Sequence, residues 1–223
     1  MKREDLDKIR LHFRKNDPII FKAMENLDFD EWIKPRSEKR GNGSDYFSAL
    51  CHEIIGQQLS GKSATAIINR FNALFDKSII DPKKLMAIDD QILRNVGMSW
   101  AKTKYVKNIA DAYLTNTVQF TNLHELSDEE VIEQLTTIKG IGNWTSEMFL
   151  IFTLGRENVY SHGDLGLRKG FAKLYRIENP TQKQIEKVVS KWIPFRSYGS
   201  ITLWHTLDSE VVEVNKKIMQ NEK

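Results

Sequence analysis

The sequence predicts an all-α fold. Apolar residues recur at spacings of three and four along most of the chain, and no extended apolar/polar alternation marks a strand. The runs are separated by Gly, Pro, Asn, Asp and Ser signals of helix ends, with no internal repeat or low-complexity tract. At 223 residues the chain is long enough for one sizeable globular unit. Its 33 Lys and Arg against 30 Asp and Glu give a formal charge of +3. That mild excess suits a local basic face for nucleic acid and equally an ordinary enzyme. The single Cys51 excludes an intramolecular disulfide and a four-cysteine iron–sulfur cluster. The chain begins Met-Lys-Arg-Glu-Asp without an apolar leader, and no apolar run is of membrane-spanning length. A soluble intracellular protein is expected.

The elements follow in order. Residues 1–45 read as charged and initially helical, anchored by Ile9, Leu11, Phe13, Ile19, Ile20, Phe21 and Met24. Trp32, Ile33 and Pro35 then precede the polar loop SEKRGNGSD, the best internal boundary. From Tyr46 to Leu59, Phe47, Leu50, Cys51, Ile54 and Ile55 form one helical stripe, which predicts a core helix. Gln57-Gln58-Leu59-Ser60-Gly61 ends it, and Ser60 or Ser63 is the candidate cap of a helix whose inner face carries Ala64, Ile67, Ile68, Phe71, Leu74 and Phe75. Asp81-Pro82 opens a helix with Leu85, Ile88, Ile92 and Leu93 inward. After the break at Gly97-Met98-Ser99, Lys102, Lys104 and Lys107 interleave with Trp100, Tyr105 and Val106, a pattern of either a solvated face or a phosphate track. Ser127 with Glu130 three residues on predicts a capping box before a helix over Val131–Thr137.

Two features carry chemistry. Gly140-Ile141-Gly142 stands between Ile138 and a new helical pattern of Trp144, Met148, Phe149 and Phe152, which predicts a tight hairpin into a helix over Trp144–Leu154 with Asn143 as N-cap. The unpaired first-turn amides and the dipole of such a helix favour an anion. Further on, Gly155 turns the chain and Val159-Tyr160-Ser161-His162-Gly163 leads to Asp164, which opens a helix over Leu165–Tyr175. Asp164 reads as an N-cap, and a carboxylate held by helix amides is expected to stay ionised and fixed. His162, two residues earlier, is a lone histidine of the kind that is more often structural.

Four stretches together carry a family resemblance. LTTIKGIGNWTSEMFLIFTLGRENVYSHGD (135–164), FSALCHEIIGQQLSGKSATAIINRFNALF (47–75), VGMSWAKTKYVKNIA (96–110) and WIPFRSYGSITLW (192–204) resemble, in the right order, the motifs of the helix-hairpin-helix (HhH-GPD) base-excision DNA glycosylases. The pattern is most similar to the 3-methyladenine DNA glycosylase II family. The resemblance implies one glycosylase unit over 1–223 with two helical lobes and a cleft between them. Lobe one would span about 46–160, with the hairpin at 135–150; lobe two would combine 1–45 with 161–223. The chain looks like the compact form, too short for the extra N-terminal β domain of some relatives.

The same resemblance implies a DNA repair glycosylase that hydrolyses the N-glycosidic bond of alkylated bases of the 3-methyladenine and 7-methylguanine type. Asp164 matches the catalytic carboxylate, while Trp144, Met148 and Phe195 match the base pocket. Relatives often have Trp at the position of Phe195 and an aromatic at that of Met148, so this pocket is less aromatic. Members that also cut the backbone carry a Lys where this chain has Trp144, which implies a monofunctional enzyme leaving an abasic site. DNA contacts are implied for Gly140, Ile141, Gly142, Asn143, Thr145, Gln58, Ser60 and Lys102, with Gln58 at the wedge position. Main-chain carbonyls of Thr136, Ile138 and Ile141 match those holding a monovalent cation, Na or K; no catalytic cofactor and no iron–sulfur cluster are expected. Arg196 and Tyr198 support either the site or the backbone. The expected partner is double-stranded DNA containing alkylated bases, met by a monomer with no membrane association in the cytoplasm or nucleoid. Two alternatives remain: a glycosylase for another lesion such as hypoxanthine or uracil, and a non-catalytic DNA-binding module. Asp164 argues against the latter, since a pure binder gains nothing from an anion near phosphates.

Overall fold

The three-to-four-residue periodicity is realised as helices: in the computed structural model, which describes residues 3–29, 43–59 and 61–208, no β-strand lies among the described residues. The helices are α1 (Arg3–Asn16), α2 (Pro18–Met24), α3 (Gly43–Gly56), α4 (Gly61–Asn72), α5 (Pro82–Ala87), α6 (Asp90–Asn95), α7 (Trp100–Leu114), α8 (Asp128–Thr136), α9 (Asn143–Met148), α10 (Leu165–Tyr175), α11 (Gln182–Val189) and α12 (Arg196–Asp208). They divide into two units, one of residues 36–154 and one joining 1–35 to 155–223.

The 36–154 unit is built on α3. Phe47, Leu50, Cys51, Ile54 and Ile55, the stripe expected from the sequence, are all fully buried, and Phe47 packs on Tyr113 of α7 and on Phe120. Each such side chain contributes about 1.5–3 kcal/mol by leaving water. Burial pushes the Cys51 thiol well above its usual range, so it behaves as an apolar core atom. In the second unit α10 and α12 pack on α2, and Phe13, Phe29, Phe171, Trp192 and Tyr198 fill the interior. A buried carboxylate, Asp17, caps α2 and accepts hydrogen bonds from the Tyr175 hydroxyl and the Trp192 indole N–H. Burial, and then the Asp17 charge, raise the Tyr175 hydroxyl far above its normal range.

Several elements depart from the sequence expectation. Residues 82–93 form two short helices instead of one, because Asp89 caps the amide of Gln91 and restarts the chain as α6. Ile92, on α6, is 46% exposed, while Leu93 beside it is buried. Leu11 and Ile19 are exposed as well, because the buried faces are made by Ile9 and Phe13 on α1 and by Ile20 and Met24 on α2, each pair four residues apart. Ser63 lies within α4 and is not its cap; Ser60, the other candidate, falls outside the described residues, as does the span 30–42 with Trp32, Ile33 and Pro35. The helix expected over 144–154 is α9 followed by a π-helical stretch, Phe149–Thr153.

Candidate active site

The environment of Asp164 is built by a short strap and two helices of the same unit. Residues 156–159 run along the start of α12, where the Ser197 hydroxyl donates to the Arg156 carbonyl and accepts from the Val159 N–H. Tyr198 donates its hydroxyl to Glu157, and Ser200 donates to the Val159 carbonyl. The S-Y of the PFRSY segment therefore ties down the strap that delivers Asp164. Arg196 and His162 both pair with Glu186 at 3.0 Å, which holds the preceding turn against α11.

The chain then turns, the Asp164 N–H bonding the Ser161 carbonyl, and α10 starts. As expected, Asp164 is the N-cap: its Oδ1 accepts from the Leu167 N–H at 2.6 Å. The same oxygen also accepts from the Trp204 indole N–H at 3.0 Å, so two donors fix a carboxylate that is only 9% exposed. Tyr160 is buried beside it, and its hydroxyl is pushed well above the usual range by burial first and by the charges of Asp164 and Glu186 next. Phe195 is buried in this unit, edge-on to His12 and Tyr198. His12 bridges Lys191 and Asn16, so its ring orientation is set.

The hairpin belongs to the 36–154 unit. Ile141 N–H bonds the Ile138 carbonyl at 2.9 Å to close the turn, with Gly140 at φ +107°. A Cβ on Gly140 would lie 2.3 Å from the Tyr105 ring, so both the left-handed backbone and the neighbour demand glycine here. Asn108 donates to the Lys139 carbonyl, making α7 the strut of the hairpin. The N-cap of α9 is Gly142, and Asn143 is its first helical residue, a correction of the expected Asn143 cap. The reason is geometric: the extended φ of −109° that marks a cap falls at Gly142, one residue after the turn closes. As a glycine, Gly142 supplies no side-chain cap.

Trp144 is 37% exposed on the first turn of α9, whereas Met148 is buried one turn on. Gln58, exposed and at φ +57°, forms the tip of the α3–α4 loop. Its neighbour Gln57 donates to the Thr145 hydroxyl at 2.7 Å, so the side chain of Thr145 is buried and engaged inside the unit. Lys102 likewise has internal partners: its ammonium donates to the carbonyls of Ile55 and Gln57 at 2.8 and 2.7 Å, closing the C-terminus of α3, and desolvation lowers its pKa. Among Lys102's sequence neighbours, Lys107 pairs with Asp90, and Lys104 is exposed. The Thr136, Ile138 and Ile141 carbonyls lie on the hairpin itself, that of Ile138 already accepting the turn hydrogen bond.

Sequence reasoning missed Trp204, Gln57 and Tyr105, each of which acts through a partner remote in the chain. The L-W at the end of the PFRSY segment was the only local signal for Trp204.

Residues 51–195, which include the hairpin and Asp164, match the HhH-GPD superfamily of base excision DNA repair proteins. The chain is 36% identical over 175 residues to DNA-3-methyladenine glycosylase 1 of Schizosaccharomyces pombe, covering 77% of this chain and 76% of that protein. It is 31% identical over 217 residues to the DNA-3-methyladenine glycosylase of Saccharomyces cerevisiae, covering 91% and 71%. A solved structure of the S. pombe 3-methyladenine DNA glycosylase in complex with abasic DNA superposes with a TM-score of 0.76 at 32% identity, covering 91% of this chain and 98% of that one. With the family match spanning more than half of its residues, the chain belongs to the HhH-GPD superfamily of base excision DNA repair proteins.

Proposed function

We propose that this protein is a monofunctional DNA glycosylase that excises purines alkylated at N3 or N7 from duplex DNA through Asp164. The observation that carries the reading is the carboxylate held on one oxygen by the Leu167 amide and the Trp204 indole. Alkylation leaves the base cationic, so it departs with the electron pair of the C1′–N bond and becomes neutral. Positive charge then develops on the sugar, where a fixed carboxylate stabilises it best because it needs no reorganisation as the bond breaks. Water adds its oxygen to C1′, and its proton passes to the carboxylate and on to solvent, leaving an abasic site. The Trp144 position holds no amine for a Schiff base, which supports hydrolysis without strand cleavage.

The base must leave the stack to react. In this reading the exposed Trp144 indole receives it, with cation–π attraction of about 0.5–2 kcal/mol. The Gly140–Gly142 turn, together with Ile141, Asn143 and Thr145 at the start of α9, receives a backbone phosphate, and Gln58 fills the gap in the duplex. Lys102 supports the Gln58 loop through its two carbonyl contacts. The hairpin carbonyls of Thr136, Ile138 and Ile141 are neutral oxygen donors that suit a monovalent cation, which would brace the turn without taking part in the chemistry. The protein works as a monomer on chromosomal DNA.

Single-turnover base release from methylated duplex DNA tests the proposal. Native protein is expected to free 3-methyladenine or 7-methylguanine without strand cleavage, and Asp164→Asn to abolish release while still binding DNA. Binding without release of either base by the native protein rejects the proposal.

A further inference from the structure

We infer that Trp204 is a positioning residue for the Asp164 carboxylate, and that α10 is built with glycines on one face to let it serve. The inference rests on the proposed role of Asp164 and deepens it. An N-cap aspartate needs only its helix amide, as Asp81 and Asp89 show at α5 and α6. One amide still leaves the carboxylate able to rock about that hydrogen bond. At Asp164 a second donor, on a different helix and 40 residues away in sequence, reaches the same oxygen and fixes the plane of the group. A rigidly aimed charge is what stabilisation of a developing cation requires.

The packing explains how the donor arrives. At Gly170 a Cβ would lie 2.4 Å from the Leu203 carbonyl oxygen, so α10 and α12 meet at backbone distance. One turn earlier, a Cβ on Gly166 would lie 3.0 Å from both Asp164 Oδ1 and Trp204 Cδ1, and 3.1 Å from Trp204 Nε1. The carboxylate and the indole therefore share the space that a side chain at 166 would enter. Glycine within a helix costs about 1 kcal/mol relative to alanine. Here that cost falls on the helix that carries the proposed catalytic group, where the close approach delivers an N–H. Trp204 is half-buried, so its indole is not a keystone of the core.

The test compares binding to two duplexes, one carrying a neutral tetrahydrofuran abasic analogue and one a cationic pyrrolidine analogue that mimics the charged sugar. Native protein is expected to prefer the cationic duplex, as an enzyme prefers the charge of its transition state. Trp204→Phe keeps the ring and removes the donor. It is expected to lose most of that preference and about tenfold in single-turnover rate, with neutral-duplex affinity unchanged. Gly166→Ala should do the same without lowering the melting temperature, since alanine favours the helix, and it decides the matter if Trp204→Phe folds poorly. In an Asp164→Asn background neither change should alter the preference further, because the group they position has gone. Full preference and rate in both variants overturn the inference, as does a parallel loss of neutral-duplex binding or an equal loss in the Asp164→Asn background. A native protein with no preference for the cation overturns the reading of Asp164 itself, and this inference with it.

Discussion

Two helix N-termini in this molecule are finished in opposite ways. At α10 the terminus is occupied by the protein's own anion: Asp164 sits on the Leu167 amide and is pinned from the side by Trp204. At α9 the cap is Gly142, which has no side chain to accept from the first turn. Seven helices, α10 among them, begin under a side-chain oxygen, from Asp17, Asp81, Asp89, Ser99, Ser127, Asp164 and Thr181, whereas the glycine cap of α9 supplies none. The same amides and dipole serve both ends. At α10 they immobilise a carboxylate of the chain itself; at α9 the glycine cap brings no such group.

Four substitutions probe that contrast. The largest effect is expected from Asp164→Asn, which should slow single-turnover base release by about 100-fold or more while leaving DNA affinity nearly intact. A fast Asp164→Asn variant would mean that the filled terminus is an ordinary cap. Next, Gly140→Ala forces a side chain into the Tyr105 ring at a left-handed backbone position. It should cost about 2 kcal/mol and several degrees in thermal melting, with DNA binding falling alongside. A more revealing change is Gly142→Asp, which has open space around the new Cβ within the described residues. It gives α9 the kind of cap that α10 has, so stability should rise by about 0.5 kcal/mol while affinity for abasic duplex drops about tenfold at low salt. Equal or tighter DNA binding by Gly142→Asp would break the comparison. The smallest effect concerns Lys102→Met. Because the ammonium is engaged with Ile55 and Gln57, the slope of log affinity against log salt should stay unchanged; a slope smaller by about one would make Lys102 a phosphate contact.

The elements that could be read in the sequence are those whose signals are local. The α3 stripe shows in a periodicity of three and four, and every residue named for it is buried. The Ser127–Glu130 capping box lies within four residues and forms as expected. The Gly-Ile-Gly turn and the Asp164 cap are equally short-range, and the order of four motifs identified the superfamily that the comparisons confirm. What the sequence could not supply were choices between equal local options. Asp89 and Asn143 were both available caps, and only the backbone path decided that Asp89 restarts a helix while Gly142 displaces Asn143. Lys102, Thr145 and Trp204 differ in kind, for their roles depend on partners 40 or more residues away. A lysine in a basic run and a tryptophan on an amphipathic helix look the same whether they meet solvent, DNA or a carbonyl. Sequence alone thus determined the helical class, the turn and the Asp164 cap, because glycine φ, capping and periodicity are properties of a few adjacent residues. Tertiary structure decided which donors hold that carboxylate and which cations are already engaged, because hydrogen-bond partners are chosen by helix packing and not by chain order.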